Sequence, residues 1–172
     1  MLSAILFLLL SQSQPVDLSP EHRLATELMT EYTTRWAAGD AAGLTALWIA
    51  DGDVVTLAGG ILRGQAAIRA FFEESLSNAP KSQFLTIVDA ARRINDDAML
   101  ADGRWRLTSS KPSAKPVEGI FTAIFVRNAK GWRLMSLRSS IPSGGHTRGI
   151  GRTADFPKPE RESSTTRAAV LK

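Results

Sequence analysis

Apolar residues recur every four positions at Leu24, Leu28, Tyr32 and Trp36. That spacing lays one stripe along one face of a helix. The start is marked by Ser19-Pro20-Glu21, with a serine to cap, a proline at the first helical position and an acid in the first turn. Gly39 ends the helix and Asp40 caps a second one, which is expected to carry Leu44, Leu47 and Trp48. Asp51-Gly52 predicts a turn, Val54 to Leu57 a strand, and Gly59-Gly60 a hairpin into Ile61-Leu62-Arg63. Gly64 leads into a third helix from Gln65 to about Ser77, with Ile68, Phe71, Phe72 and Leu76 on its inner side.

From residue 82 the period changes to two. Phe84–Ile94, Ala98–Leu107, Glu118–Arg127 and Trp132–Ser139 read as strands joined by polar loops into an antiparallel meander. Within the second of them Met99, Ala101, Gly103, Trp105 and Leu107 share one face, and Asp102, Arg104 and Arg106 the other. The third is apolar on both sides, with Phe121, Ala123 and Phe125 against Ile120, Ile124 and Val126. A strand apolar on both faces needs cover on its outer face, so a homodimer through the sheet face is expected. Helices followed by long strands give an α+β layout. The strands suit a curved sheet wrapping the helices as a cone, with the first helix across its concave face.

Both ends differ from this body. Ser3 to Leu10 is almost wholly apolar and precedes a small-x-small pattern at Ser11-Gln12-Ser13, so residues 1–18 read as a signal peptide and leader. The run is too short to span a bilayer. Export of a chain without cysteine fits a bacterial periplasm, or the extracellular space, without disulfides. Residues 143–172 are rich in Gly, Ser, Thr, Pro and charge and read as a disordered basic tail. The domain itself is expected at 19–142.

Charge and chemistry narrow the function classes. The net charge is +4, but the tail holds six Lys or Arg against three acids, which leaves the body at fifteen against fourteen. A nearly neutral body argues against nucleic-acid binding, which needs a basic stripe. The absence of cysteine excludes thiolate metal sites and cysteine nucleophiles. The two histidines, His22 and His146, fall in a first helical turn and in the tail, so no histidine metal site or triad is expected.

The order and spacing of Tyr32, Ala37-Ala38-Gly39-Asp40, Leu47-Trp48, Asp51, Gly64, Ala67-Ile68-Arg69, Phe71-Phe72 and Gly131-Trp132 are informative together. With Ser136 to Ser140 they make the chain from about Glu21 to Ile141 resemble the NTF2-like superfamily. The resemblance is to its SnoaL-like and ketosteroid-isomerase-like branch, and to exported domains grouped with it. It implies a cone-shaped α+β fold, an interior pocket and frequent dimerisation.

The isomerase of that branch uses a carboxylate base, with a tyrosine and a protonated carboxylic acid that hold the enolate oxygen. The resemblance puts its tyrosine on Tyr32, the one candidate catalytic residue. It puts the base on or near Thr56 and the acid near Ala123, neither of which can do that work. Asp53 is expected on the other face of its strand from Thr56. The resemblance further implies a pocket lined by Tyr32, Trp36, Trp48, Phe72, Met99, Trp105 and Phe121. Arg138 is a candidate ligand contact whose face the sequence leaves open. Strand parity groups it with Trp132, Leu134 and Ser136, whereas the resemblance puts Leu137 and Ser139 inside. Such a cavity suits a small apolar or polycyclic molecule. No cofactor or metal is implied. Isomerase- or cyclase-type acid/base chemistry and a non-catalytic dimerisation or assembly module both remain open.

Overall fold

The computed structural model describes residues 19–111 and 113–142. Residues 1–18, expected as a signal peptide and leader, and 143–172, expected as a disordered basic tail, lie outside the described residues. Helix α1 spans Pro20–Ala37. Ser19 Oγ accepts the His22 amide at 3.1 Å and caps it. Its buried stripe is Ala25, Met29, Tyr32 and Trp36, with Leu24 and Leu28 half-buried beside it. The chain leaves α1 through Gly39, whose φ of 68° is a left-handed conformation that glycine adopts without strain. Asp40 Oδ1 then accepts the Gly43 amide at 2.7 Å and starts α2, Ala41–Ala46.

Strand β1 runs Trp48–Val55, β2 Ile61–Arg63, and helix α3 Gly64–Asn78. The second helix therefore stops short of Leu47 and Trp48, which were expected on it. Leu47 caps the helix and Trp48 opens the strand. The expected turn at Asp51-Gly52 is an irregularity inside β1, between the pairings of Trp48 and Asp53.

Strands β3 (Gln83–Asn95), β4 (Ala98–Thr108), β5 (Val117–Asn128) and β6 (Gly131–Ser140) form the meander. The six strands make one curved mixed sheet in the order β2-β1-β6-β5-β4-β3. β1 pairs parallel to β6, a contact between residues some eighty positions apart that the meander alone did not imply. Helix α1 packs chiefly against β3, and α3 against α2 and β1. The inner sheet face carries Met99, Ala101, Trp105, Phe121, Ala123, Phe125, Leu134 and Leu137, all buried. Gly103 and Gly119 lie among them. A side chain on Gly103 would meet the Phe121 ring and the Ile87 carbonyl; one on Gly119 would meet the Trp105 ring and the Ser140 carbonyl. The bare backbone lets those two rings lie flat on the sheet. On the outer face of β5, Ile124 and Val126 are half-buried and Ile120 is exposed.

Candidate ligand cavity

Tyr32 and Trp36, one turn apart on α1, point into the cone because both belong to its buried stripe. Their rings stack at 6.5 Å. Phe84, near the start of β3, closes against both, at 5.4 Å from Tyr32 and 5.2 Å from Trp36, and stacks on Trp105 at 5.8 Å. Phe72 of α3 meets Tyr32 edge-on at 6.0 Å. These rings wall a cavity of about 350 Å³ whose remaining lining includes Thr56, Leu57, Phe71, Ser75, Asn78, Leu107, Leu137 and Ser139.

Among the described residues no charged side chain lines the cavity. Its polar groups are hydroxyls and one amide, and two of the nearest donors are already engaged. The Trp36 indole donates to Ser82 Oγ at 3.2 Å, and the Trp105 indole to the Ile120 carbonyl at 3.1 Å. Tyr32 is 4% exposed. Burial pushes its phenol far above the ordinary tyrosine range, so it stays protonated and able to donate. Among the described residues its hydroxyl has no hydrogen-bond partner, yet no buried side-chain atom is left unsatisfied and sealed from contact. The hydroxyl is therefore reachable from the cavity that the residue lines.

Of the pocket residues expected from the sequence, Tyr32, Trp36, Phe72 and Trp105 come together around this space. Trp48, Met99 and Phe121 do not line it. Trp48 is packed between Tyr32 and Phe72, at 6.1 and 5.5 Å, with its indole N–H directed at the Asp53 carbonyl at 3.3 Å. Met99 and Phe121 sit deep in the core under the sheet. Large aromatic and thioether side chains there serve packing.

Arg138 points away from the cavity. A bulge between the pairings of Ile124 and Phe125 with β6 places Leu134 opposite Phe125 and Ser136 opposite Ile124. One extra residue, Met135, reverses the alternation. Leu134, Leu137 and Ser139 then face inward, and Ser136 and Arg138 outward. Arg138 contacts Ser136 Oγ and lies 3.8 Å from Asp53 Oδ1 on that outer face. Thr56, just past the end of β1, lines the cavity, as the resemblance implied, whereas Ala123 is buried and does not.

Phe84, Phe71 and Leu107 were not anticipated as lining. Leu107 shared the alternation of Trp105 and pairs with Phe84, so that alternation carried a signal for both. Phe71 was expected on the inner side of α3 with Phe72, and that placement was its signal.

A family profile described as a SnoaL-like domain matches residues 25–144. Among solved structures, the chain is similar to an NTF2-like protein with a cystatin-like fold from Novosphingobium aromaticivorans. That pair shares 19% identity and a TM-score of 0.63, over 73% of this chain and 84% of the other. A proposed calcium/calmodulin-dependent protein kinase II association domain from Xanthomonas campestris is similar at 19% identity and TM-score 0.63, over 72% and 89%. A proposed dehydratase of the NTF2-like family from Streptomyces avermitilis is similar at 17% identity and TM-score 0.61, over 71% and 96%. No curated protein matches. At these identities the solved structures speak to fold alone, and their fold is the cone of helices on a curved sheet found here. With the profile covering nearly all the described residues, the chain belongs to the SnoaL-like domain family, on an NTF2-like fold.

Proposed function

We propose that this domain binds a small, uncharged, largely apolar molecule, with Tyr32 donating a hydrogen bond to an acceptor oxygen on it. The observation that carries this reading is the Tyr32 hydroxyl: buried, protonated, without a protein partner among the described residues, and lining a cavity of about 350 Å³. The hydroxyl faces the cavity with its donor uncommitted to the protein, so an acceptor on a ligand there can take its hydrogen bond. Flat aromatic walls favour a planar or polycyclic ligand. Among the described residues the lining has no carboxylate, imidazole or amine to move a proton, which supports binding over isomerase- or cyclase-type chemistry.

Thermal-shift titration with a panel of polycyclic ketones tests the reading. Stabilisation of the wild type, weakened in Tyr32→Phe, is expected. A panel that stabilises neither protein, or both equally, removes the role given to the hydroxyl.

A second reading, assembly through a homodimer, is favoured by the outer sheet face. Ile120 is 37% exposed there. Asp102 and Arg138 flank Thr122 on neighbouring strands, a charge pair that a twofold axis could set against its own copy. Light scattering of the wild type and of Ile124→Asp separates the cases: a monomeric wild type ends this reading. Export, read from residues 1–18, is checked by the N-terminal sequence of protein recovered from the periplasm.

A further inference from the structure

A second hollow, of about 780 Å³, opens on the other side of Trp48 and shares no lining residue with the aromatic cavity. Four segments build it. These are α2 (Ala42, Thr45), the start of β1 (Trp48, Ile49), the first turns of α3 (Gln65, Arg69) and the β5–β6 turn with Lys130 and Arg133. They meet because β6 runs parallel to β1, which brings the turn before β6 beside the start of β1. Among the described residues three of its lining side chains are cationic, Arg69, Lys130 and Arg133, and none is a carboxylate. In a body with nearly equal numbers of both signs, such a grouping sets up a local positive field inside a concave surface, where it is focused.

The neutral polar groups of the hollow are already spent on the fold. Thr45 Oγ1 donates to the Ala41 carbonyl, Gln65 Nε2 to the Trp48 carbonyl, and Asn128 Oδ1 accepts the Lys130 amide. Arg69 uses its Nε on Glu73, and Arg133 one Nη on the Trp132 carbonyl, which leaves the remaining guanidinium nitrogens of both free to donate. The Lys130 ammonium has no partner among the described residues. Between these cations the lining is apolar, with Ile49, Ala46 and Ala66.

We propose that this hollow is a second binding site, for a free small organic anion. Its carboxylate or phosphate is held by Lys130 and Arg133 with help from Arg69, and its short apolar body lies on Ile49 and Ala46. Ammonium and guanidinium donors make their strongest hydrogen bonds to such anions. The site is independent of the ligand given to the aromatic cavity, and its failure would leave that reading untouched.

The test is titration of the full chain, followed by nitrogen–proton correlation spectra. The probes are hexanoate, inorganic phosphate, hexanol as the uncharged control, and phosphatidylglycerol vesicles. Hexanoate, and more weakly phosphate, is expected to shift the amides of Gln65, Lys130 and the Trp48 indole, with hexanol silent. Lys130→Ala and Arg133→Gln should each weaken hexanoate binding by about tenfold, the effect of one lost charge-assisted hydrogen bond. Added salt should weaken it further. Unchanged melting temperatures in the two variants keep loss of binding distinct from loss of fold. The proposal is overturned if hexanol shifts the same amides equally, if both variants bind hexanoate as the wild type does, or if only vesicles produce shifts.

Discussion

Ser136 donates its hydroxyl proton to Asp53 Oδ1 at 2.5 Å and so ties β6 to β1 where the two run parallel. Ser136 is 4% exposed and the Asp53 side chain 27%. A hydrogen bond to a partly buried charge contributes roughly 1.5–3 kcal/mol. Asp53→Ala is therefore expected to lower the unfolding free energy by about that much in urea denaturation. Arg138, with 52% of its side chain exposed, adds a screened contact at the edge of the pair. Arg138→Ala should cost under about 1 kcal/mol. The reverse order of the two losses would show that the arginine, and not the serine–aspartate bond, secures the parallel pairing.

The same pair marks where sequence reasoning ran out. Local signals placed α1, its Ser19 cap, the Gly39-Asp40 turn, α3 and all four long strands within a residue or two, because caps, turns and alternation act over a few positions. Trp48 was misplaced on a helix, since one apolar position beyond α2 fits helix or strand equally. The β1–β6 pairing depends on contacts eighty positions apart. The bulge at Met135 has no glycine or proline to announce it, and a one-residue slip turns every following side chain to the other face. Parity and resemblance therefore disagreed on the face of Arg138, and the bulge is the reason. The cavity was legible where it rests on α1, through Tyr32 and Trp36. It was not where packing alone decides which core side chains stop short of it, as with Met99 and Phe121.

Two glycines on the inner sheet face should tolerate no side chain. At Gly119 a methyl group would meet the Trp105 ring and the Ser140 backbone; at Gly103 it would meet the Phe121 ring and the Ile87 backbone. Backbone cannot yield as a side-chain tip can, so Gly103→Ala and Gly119→Ala should each destabilise by about 1–3 kcal/mol or more. Gly60 makes the control, since its nearest neighbour would be Thr56 Oγ1 at an ordinary 3.4 Å. Gly60→Ala should change the melting temperature little. Equal melting temperatures for all three variants would contradict the close approach of the rings.

Tyr32 is the single tyrosine of the chain, so its ionisation can be followed alone by phenolate absorbance. Burial raises its folded-state pKa. Below the unfolded value of about 10 both states are protonated, and the contribution of the buried phenol is fully present. Above it the unfolded chain ionises first, and stability falls as pH rises toward the folded pKa, by up to about 1.4 kcal/mol per unit. Tyr32→Phe lacks this alkaline limb, and every other titrating group is common to both proteins. The difference between their unfolding free energies should therefore change between about pH 9 and about pH 11, in favour of the variant. A constant difference would place the phenol in contact with bulk water.

The Trp36 indole donates to Ser82 Oγ, with both residues under 8% exposed. Ser82→Ala leaves the indole N–H unpaired in an apolar setting, at a cost of about 1–3 kcal/mol. Trp36→Phe removes the donor but also indole surface, so its own cost mixes two causes. A double-mutant cycle separates them. In the Trp36→Phe background Ser82→Ala should cost much less than in the wild type, and the coupling should be about 1 kcal/mol or more. Because Trp36 also walls the aromatic cavity, Ser82→Ala frees its ring to turn, and ligand stabilisation in the thermal-shift assay should fall with it. Additive losses with unaltered ligand response would mean that packing against Phe84 and Phe72 alone fixes the ring.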